Sequence, residues 1–311
     1  MKKVLLVGDV KNWAMHHIYL YMEKELRKRY IVNYVTGRKF SFFKDFYLRR
    51  YDVIYVMYGL LLDGFKIDQS FHNKIITGVH CHWEFCDQSS VITAANTSGV
   101  LSEKYLKTLQ LANRVAGISW ELCSILKKDL EHVFYLPHAI DIEIFHPQNR
   151  RIKGKNKLIR VGWAQSENNH GFKRRIDSIR KVFSRVEGVQ LAEINKEIGL
   201  IKDRKQLCDW YNTLDCYVCF SLFEGGPLPV LEAMACGIPC ISTPVGQVPE
   251  VIQNNENGFI VHTEEDLYKV LVFVRDHSDC LVTMSDNARN YMVNNRAPDK
   301  VISYWIDFLD L

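Results

Sequence analysis

Ser221-Leu-Phe-Glu224-Gly225-Gly226-Pro227-Leu228-Pro229-Val-Leu-Glu232-Ala-Met-Ala-Cys236-Gly237 is the most informative stretch of this 311-residue chain. The apolar run Cys216 to Phe220 leads into it and reads as a strand. A helix from about Pro229 to Cys236 is expected to follow. Proline suits a first helical turn, where a missing N–H costs little, and Gly237 stands where a helix stop belongs. The two glycines let backbone approach a ligand closely, and free N–H groups at a helix start attract anions or sugar hydroxyls. Glu232 then lies inside the helix among Val230, Leu231 and Met234, while Glu224 stands at the strand-to-helix turn. Two isolated glutamates would read as solvated carboxylates, so their weight depends on the pattern around them.

Working outward, strand-like and helix-like segments alternate. Lys3–Gly8, Ile31–Thr36, Val53–Met57, Lys74–Val79 and Arg114–Ser119 read as strands, with helical spacing over Ala14–Tyr30 and Glu103–Ala112; Phe134–His138 closes this half. Pro137, Pro147 and the polar run Gln148 to Asn156 mark a linker. A second series follows, with strands Leu158–Gly162, Val189–Ile194, Cys216–Phe220 and Pro239–Thr243 and helices at Lys173–Arg185 and around Arg204–Asn212. Such alternation implies parallel sheets covered on both faces. The expected class is α/β, with two doubly wound Rossmann-like domains over 1–148 and 149–295. A C-terminal helix over 296–311 is expected to pack back on the first. A ligand would lie in the cleft between the domains, at the C-terminal ends of the strands.

Composition narrows the function. Apolar residues make up 47% and charged residues 24%, a globular balance. The net charge of +4 does not single out nucleic acid as a partner. No apolar run approaches the ~18 residues of a spanning helix. Met1-Lys2-Lys3 resembles the start of an export signal, but the apolar run after it ends at Gly8-Asp9, so a cytoplasmic protein is expected. The nine cysteines then read as reduced thiols. Cys216-Tyr-Val-Cys219 with Cys236-Gly-Ile-Pro-Cys240 approximates a zinc ribbon, yet residues three apart on a strand point to opposite faces, so no metal site is expected. Charge is uneven: residues 1–51 carry 12 Lys/Arg against 4 Asp/Glu, and residues 149–181 carry 11 against 2, which suggests local anion handling. Within the first segment, Phe40 to Tyr51 interleaves aromatics with cations. Peripheral contact with an anionic membrane is one reading; an amphipathic helix with its aromatics in the core is the preferred one.

The Ser221–Gly237 segment resembles the signature of the family-four retaining glycosyltransferases, whose two glutamates are separated by seven residues. The resemblance continues through Gly237-Ile-Pro-Cys-Ile-Ser-Thr243-Pro-Val-Gly246-Gln-Val-Pro249-Glu250 and Asn257-Gly-Phe-Ile-Val261. Leu136-Pro-His-Ala-Ile-Asp141-Ile-Glu-Ile-Phe145-His-Pro147 is similar to the family's linker, Val161-Gly162 to the start of its second domain, and Ala116-Gly-Ile-Ser119 to one of its strand ends. The fold this implies is GT-B. In such enzymes the first glutamate contacts the donor sugar near the reacting carbon and the second binds the ribose hydroxyls, roles that fall here on Glu224 and Glu232. Gly225, Gly226, Pro227 and Leu228 would line the sugar and diphosphate with backbone.

Relatives also place an arginine just after the Val-Gly strand and a lysine at the next helix start, both on the diphosphate. Here Gly162 is followed by Trp163 in the arginine's apparent place, with Gln165 nearby, and the lysine role falls on Lys173 with Arg174 beside it. Ile75-Ile-Thr-Gly-Val79-His80 resembles the family's strand ending in a histidine near the donor–acceptor junction; His82 lies on the same strand face. The first loop, Gly8 to Ala14, lacks the family's second glycine and carries Lys11, Asn12 and Trp13, while His138-Ala139 replaces the usual Asn-Gly.

The activity this implies is transfer of a sugar from a nucleoside-diphosphate donor to a hydroxyl acceptor, with retention and without a metal or other cofactor. The acceptor would be a glycan, a lipid-linked species or a small molecule, as in cell-surface glycan synthesis. A non-catalytic nucleotide-sugar-binding subunit is the alternative, and a sugar-nucleotide epimerase ranks below it because epimerases lack the Glu224–Glu232 helix pattern.

Overall fold

The computed structural model describes residues 1–11, 14–81, 101–148, 158–164, 175–195, 201 and 203–310. The chain divides into two compact units, Met1–Ala139 with Pro298–Leu311, and Ile140–Ala297.

The first unit is built on a parallel sheet in the order β2-β1-β3-β4-β5-β6. Its strands are β1 Lys3–Gly8, β2 Ile31–Thr36, β3 Val53–Val56, β4 Ile75–Val79, β5 Arg114–Gly117 and β6 Val133–Tyr135. The described helices are α1 Ala14–Arg27, α2 Gly37–Phe42, α3 Lys44–Arg50, α4 Leu61–Phe65, α5 Glu103–Leu109 and α6 Trp120–Leu126, with a 3-10 turn at Gln69–Lys74. All four residues of β3 and all five of β4 are buried, as expected of parallel strands covered on both faces. Ser102 and Ser119 cap α5 and α6, each side chain accepting a backbone N–H of the first turn.

The second unit carries a parallel sheet in the order β11-β10-β9-β7-β8. Its strands are β7 Ile159–Ala164, β8 Val189–Ile194, β9 Cys216–Cys219, β10 Cys240–Ser242 and β11 Gly258–Ile260. The helices are α7 Ile176–Phe183, α8 Arg204–Tyr211, α9 Leu228–Ala235, α10 Val248–Val251, α11 Glu264–Asp276 and α12 Cys280–Asn295. The chain runs from β7 to β8 on one side and then to β9 on the other. Strand order therefore reverses between β7 and β9, the position where such sheets take ligands at their C-terminal ends.

The division falls between Ala139 and Ile140, upstream of the expected 148/149 break. The linker-like stretch has its own fixed place in the second unit. Asp141 Oδ1 accepts the N–H groups of Glu143 and Ile144 at 2.9 and 3.0 Å, and Arg289 donates to the carbonyls of Phe145 and Ala235 at 2.8 Å each. Phe145 is fully buried.

The last helix, α13 Pro298–Leu309, belongs to the first unit, where Phe308 packs edge-on to Tyr55 at 5.1 Å and Arg114 donates to the Asp307 carbonyl at 2.9 Å.

The aromatic stretch Phe40–Tyr51 divides its rings. Phe40, Tyr47 and Tyr51 enter the core with Leu48, whereas Phe42, Phe43 and Phe46 remain exposed. The preference for a core-facing stripe thus holds for only half of these rings, because a break at Phe43 splits the segment into two short helices.

Candidate functional site

At the end of β9 the chain leaves the sheet through Phe220–Pro227 and enters α9. Three contacts fix this loop. Thr243 donates its hydroxyl to the Ser221 carbonyl at 2.6 Å, and its N–H bonds the Cys219 carbonyl at 3.0 Å. The N–H of Gln247 meets the Gly225 carbonyl at 3.1 Å. Gly246 adopts φ +54°, and a Cβ there would lie 1.8 Å from the Gly225 oxygen. Only glycine permits this approach. The downstream motif residues Thr243 and Gly246 therefore shape the Glu224 turn from below.

Glu224 is partly exposed, and Ser221 Oγ donates to its Oε1 at 3.2 Å. Gly225 is buried and Gly226 partly so. Pro227 caps α9 and has no N–H to offer; its carbonyl accepts from Val230 at 2.8 Å. Leu228 is the first helical residue.

Glu232, one turn into α9, is 2% exposed. A carboxylate buried so completely must be paired. Its partners come from α8: Tyr211 donates its hydroxyl to Oε2 at 3.0 Å and Arg204 donates Nη2 to Oε1. Asp203 caps α8 by accepting the Gln206 N–H at 2.9 Å. Arg204 and Tyr211, two turns apart, thereby reach one point. The Arg204 guanidinium also lies 4.9 Å from the Phe145 ring, the linker aromatic. Burial, with the nearby Glu232 carboxylate, pushes the Tyr211 phenol well above its ordinary value and keeps it a donor.

Other residues expected at the site fall elsewhere. Trp163 is 3% exposed and its side chain belongs to the core of the second unit, so only its backbone can meet a ligand. A Cβ at Gly162 would lie 2.2 Å from Leu214 Cδ1 and 2.9 Å from Trp210, so this glycine serves strand packing. Gln165, Lys173 and Arg174 lie outside the described residues, as do His82, Asn12 and Trp13. Arg175, next to the expected cations, stacks on Phe220 at 4.1 Å and faces Glu264 at 4.0 Å.

In the first unit, His80 follows β4 and is buried. Its Nδ1 lies 3.4 Å from His138 Nε2, with the rings stacked at 5.6 Å. Burial lowers the His80 pKa from 6.5 to about 4, opposed by a hydrogen bond to the Met57 carbonyl, so the ring is neutral near pH 7. In the first loop, Tyr34 fills the space beside Gly8, where a Cβ would meet its hydroxyl at 2.0 Å.

Sequence reasoning missed Arg204, Tyr211 and His138 as partners. It also missed Gln247, a fully buried amide without a protein partner among the described residues, one residue after Gly246. Two turns of helical spacing between Arg204 and Tyr211 was the available signal for the first two. Among the described residues, no group of three or more His, Cys, Asp or Glu is placed to hold a metal ion.

Residues 147–274 match the family Glycosyl transferases group 1. Two Rossmann-like units of this topology define the GT-B fold, and solved structures agree over the whole chain. Sucrose-phosphate synthase from Thermosynechococcus elongatus superposes with TM-score 0.76 at 14% identity, covering 99% of this chain and 98% of that one. HepE of Anabaena, solved with UDP and glucose, superposes with TM-score 0.72 at 14% identity and covers both chains completely. In sequence, the chain is similar to the UDP-Gal:α-D-GlcNAc-diphosphoundecaprenol α-1,3-galactosyltransferase of Escherichia coli. They are 32% identical over 122 residues, which is 35% of this chain and 31% of that enzyme, so the match spans under a third of that relative.

Proposed function

We propose that the protein is a retaining glycosyltransferase that moves a sugar from a nucleoside-diphosphate donor to a hydroxyl acceptor in glycan or glycoconjugate synthesis. The observation that carries this reading is the Glu232 carboxylate, buried on the helix that follows β9, one of the two strands bordering the switch point, and held by Arg204 and Tyr211. Ribose hydroxyls would join or replace these donors on it. Glu224, steadied by Ser221, would orient the donor sugar, and the backbone of Gly225, Gly226 and Leu228 would line its hydroxyls and the diphosphate. Prealigned dipoles stabilise developing charge most where water is excluded.

In the reaction we infer, the bond from the anomeric carbon to the diphosphate breaks while the acceptor oxygen attacks the same face. The acceptor proton passes to the departing diphosphate. Lys173 and Arg174, with Gln165 and the Trp163 backbone, would neutralise the leaving charge. The backbone beside His80, or its neutral imidazole, would steady the sugar or the acceptor hydroxyl. The acceptor is proposed to be a glycan, a lipid-linked species or a small molecule, and a cytoplasmic location is proposed with it. No divalent metal is required in this scheme, so chelation should leave turnover unchanged.

The test is a nucleoside-diphosphate titration of two variants. Glu232→Ala is expected to weaken binding by about tenfold or more, the loss of charge-assisted hydrogen bonds. Glu224→Ala should bind nearly as the parent does and lose turnover. Equal losses of affinity in both would contradict the division of roles.

A further inference from the structure

We infer that the outer face of α2 and α3 is a docking surface for an anionic lipid bilayer. This face belongs to the first unit alone and is independent of the proposed sugar transfer. Over Gly37–Arg50 the chain is amphipathic in an unusual sense. Its inner face carries Phe40 and Leu48, fully buried or nearly so, together with Tyr47, against Val35, Leu62 and Phe65. Its outer face is apolar as well: Phe42 is 81% exposed, Phe43 48% and Phe46 54%. Phe42 and Phe43 meet edge-on at 4.7 Å at the break between the helices, forming one apolar tip.

Cations flank that tip along the chain. Arg38, Lys39, Arg49 and Arg50 are exposed, and Arg50 lies 5.6 Å from the Phe46 ring. Lys44 donates to the Phe65 and Lys66 carbonyls at 3.0 Å each. Residues 37–50 hold five Lys/Arg against one acid, Asp45.

Magnitudes separate a bilayer from a protein partner. An aromatic side chain buries roughly 150–250 Å², so three partly exposed rings fall short of the ~800 Å² per partner of a stable protein interface. A bilayer asks for less. Each cation near an anionic surface raises binding by about fivefold, and rings inserted at headgroup level add to that.

The test is co-sedimentation of the full chain with phosphatidylcholine vesicles, with and without about one third phosphatidylglycerol, at about 0.1 M and 0.5 M salt. Binding is expected only to the anionic vesicles and should fade at the higher salt. The double substitution Phe42→Ser, Phe43→Ser should lower the partition coefficient by about tenfold or more. Arg49→Glu with Arg50→Glu should lower it at least ~25-fold. Melting temperature and nucleoside-diphosphate affinity should stay at parental values in both variants, because these side chains are exposed. Equal binding to neutral and anionic vesicles, binding unchanged by the substitutions, or no binding at all would overturn the inference. So would a change in oligomeric state on Phe42→Ser, which would assign the tip to contact between copies.

Discussion

The buried histidine at the end of β4 makes a pH-dependent contribution whose sign can be worked out. His80 has its pKa lowered from 6.5 to about 4 by burial. Between those values the unfolded chain binds a proton that the folded chain refuses, so stability is full above about pH 6.5 and falls as pH drops toward 4. The loss amounts to about 3 kcal/mol at the acid end. Urea unfolding of His80→Gln at pH 7.5, 6 and 5 should show a flatter pH dependence than the parent; identical slopes would mean that the ring is solvated. At the second unit's carboxylate, Tyr211→Phe removes a hydroxyl donor and should cost about 1.5–3 kcal/mol in urea, with weaker nucleotide binding. The strand-to-helix turn that carries the two glutamates was legible in the sequence because its loop chemistry is local. Arg204, Tyr211 and His138 were not, since each becomes a partner only when distant segments are brought together.

Single elements carry the geometry that the glutamates need. The turn from β10 to α10 supports the Glu224 loop through Gly246, whose positive φ and contact with the Gly225 carbonyl both exclude a side chain. Gly246→Ala should therefore destabilise by more than the ~1 kcal/mol of a strained backbone alone and displace the loop. Loss of nucleotide affinity, read in a titration below the melting temperature, is the expected outcome. The α11 N-terminus offers a contrast, because Thr263 and Asp266 form a complete capping box whose hydrogen bonds stay within that helix start. Thr263→Ala should cost about 1 kcal/mol and leave nucleotide affinity intact. Most strands were readable from apolar runs and most helices from their spacing. The break at Phe43 was not, because Phe40 to Tyr51 has one composition throughout and only tertiary packing decides which rings turn inward.

On the scale of the whole chain, the two parallel sheets followed from alternation alone, whereas the unit boundary did not. Pro137, Pro147 and the polar run after them suggested a linker, but Arg289 ties Ile142 and Phe145 into the second unit. The final helix returns to the first unit and buries Trp305 to 1% exposure. Trp305→Ala should accordingly cost about 3–5 kcal/mol, read as a lowered melting temperature. The most direct test of the account as a whole is donor turnover by the purified chain. Nucleoside-diphosphate release from a panel of nucleotide sugars would be followed for the parent and for Glu224→Ala. The account predicts release from at least one donor, abolished in Glu224→Ala while that variant still binds the free nucleotide. Nucleotide binding without release from any donor would make the chain a binding subunit, and release untouched by Glu224→Ala would contradict the assigned site.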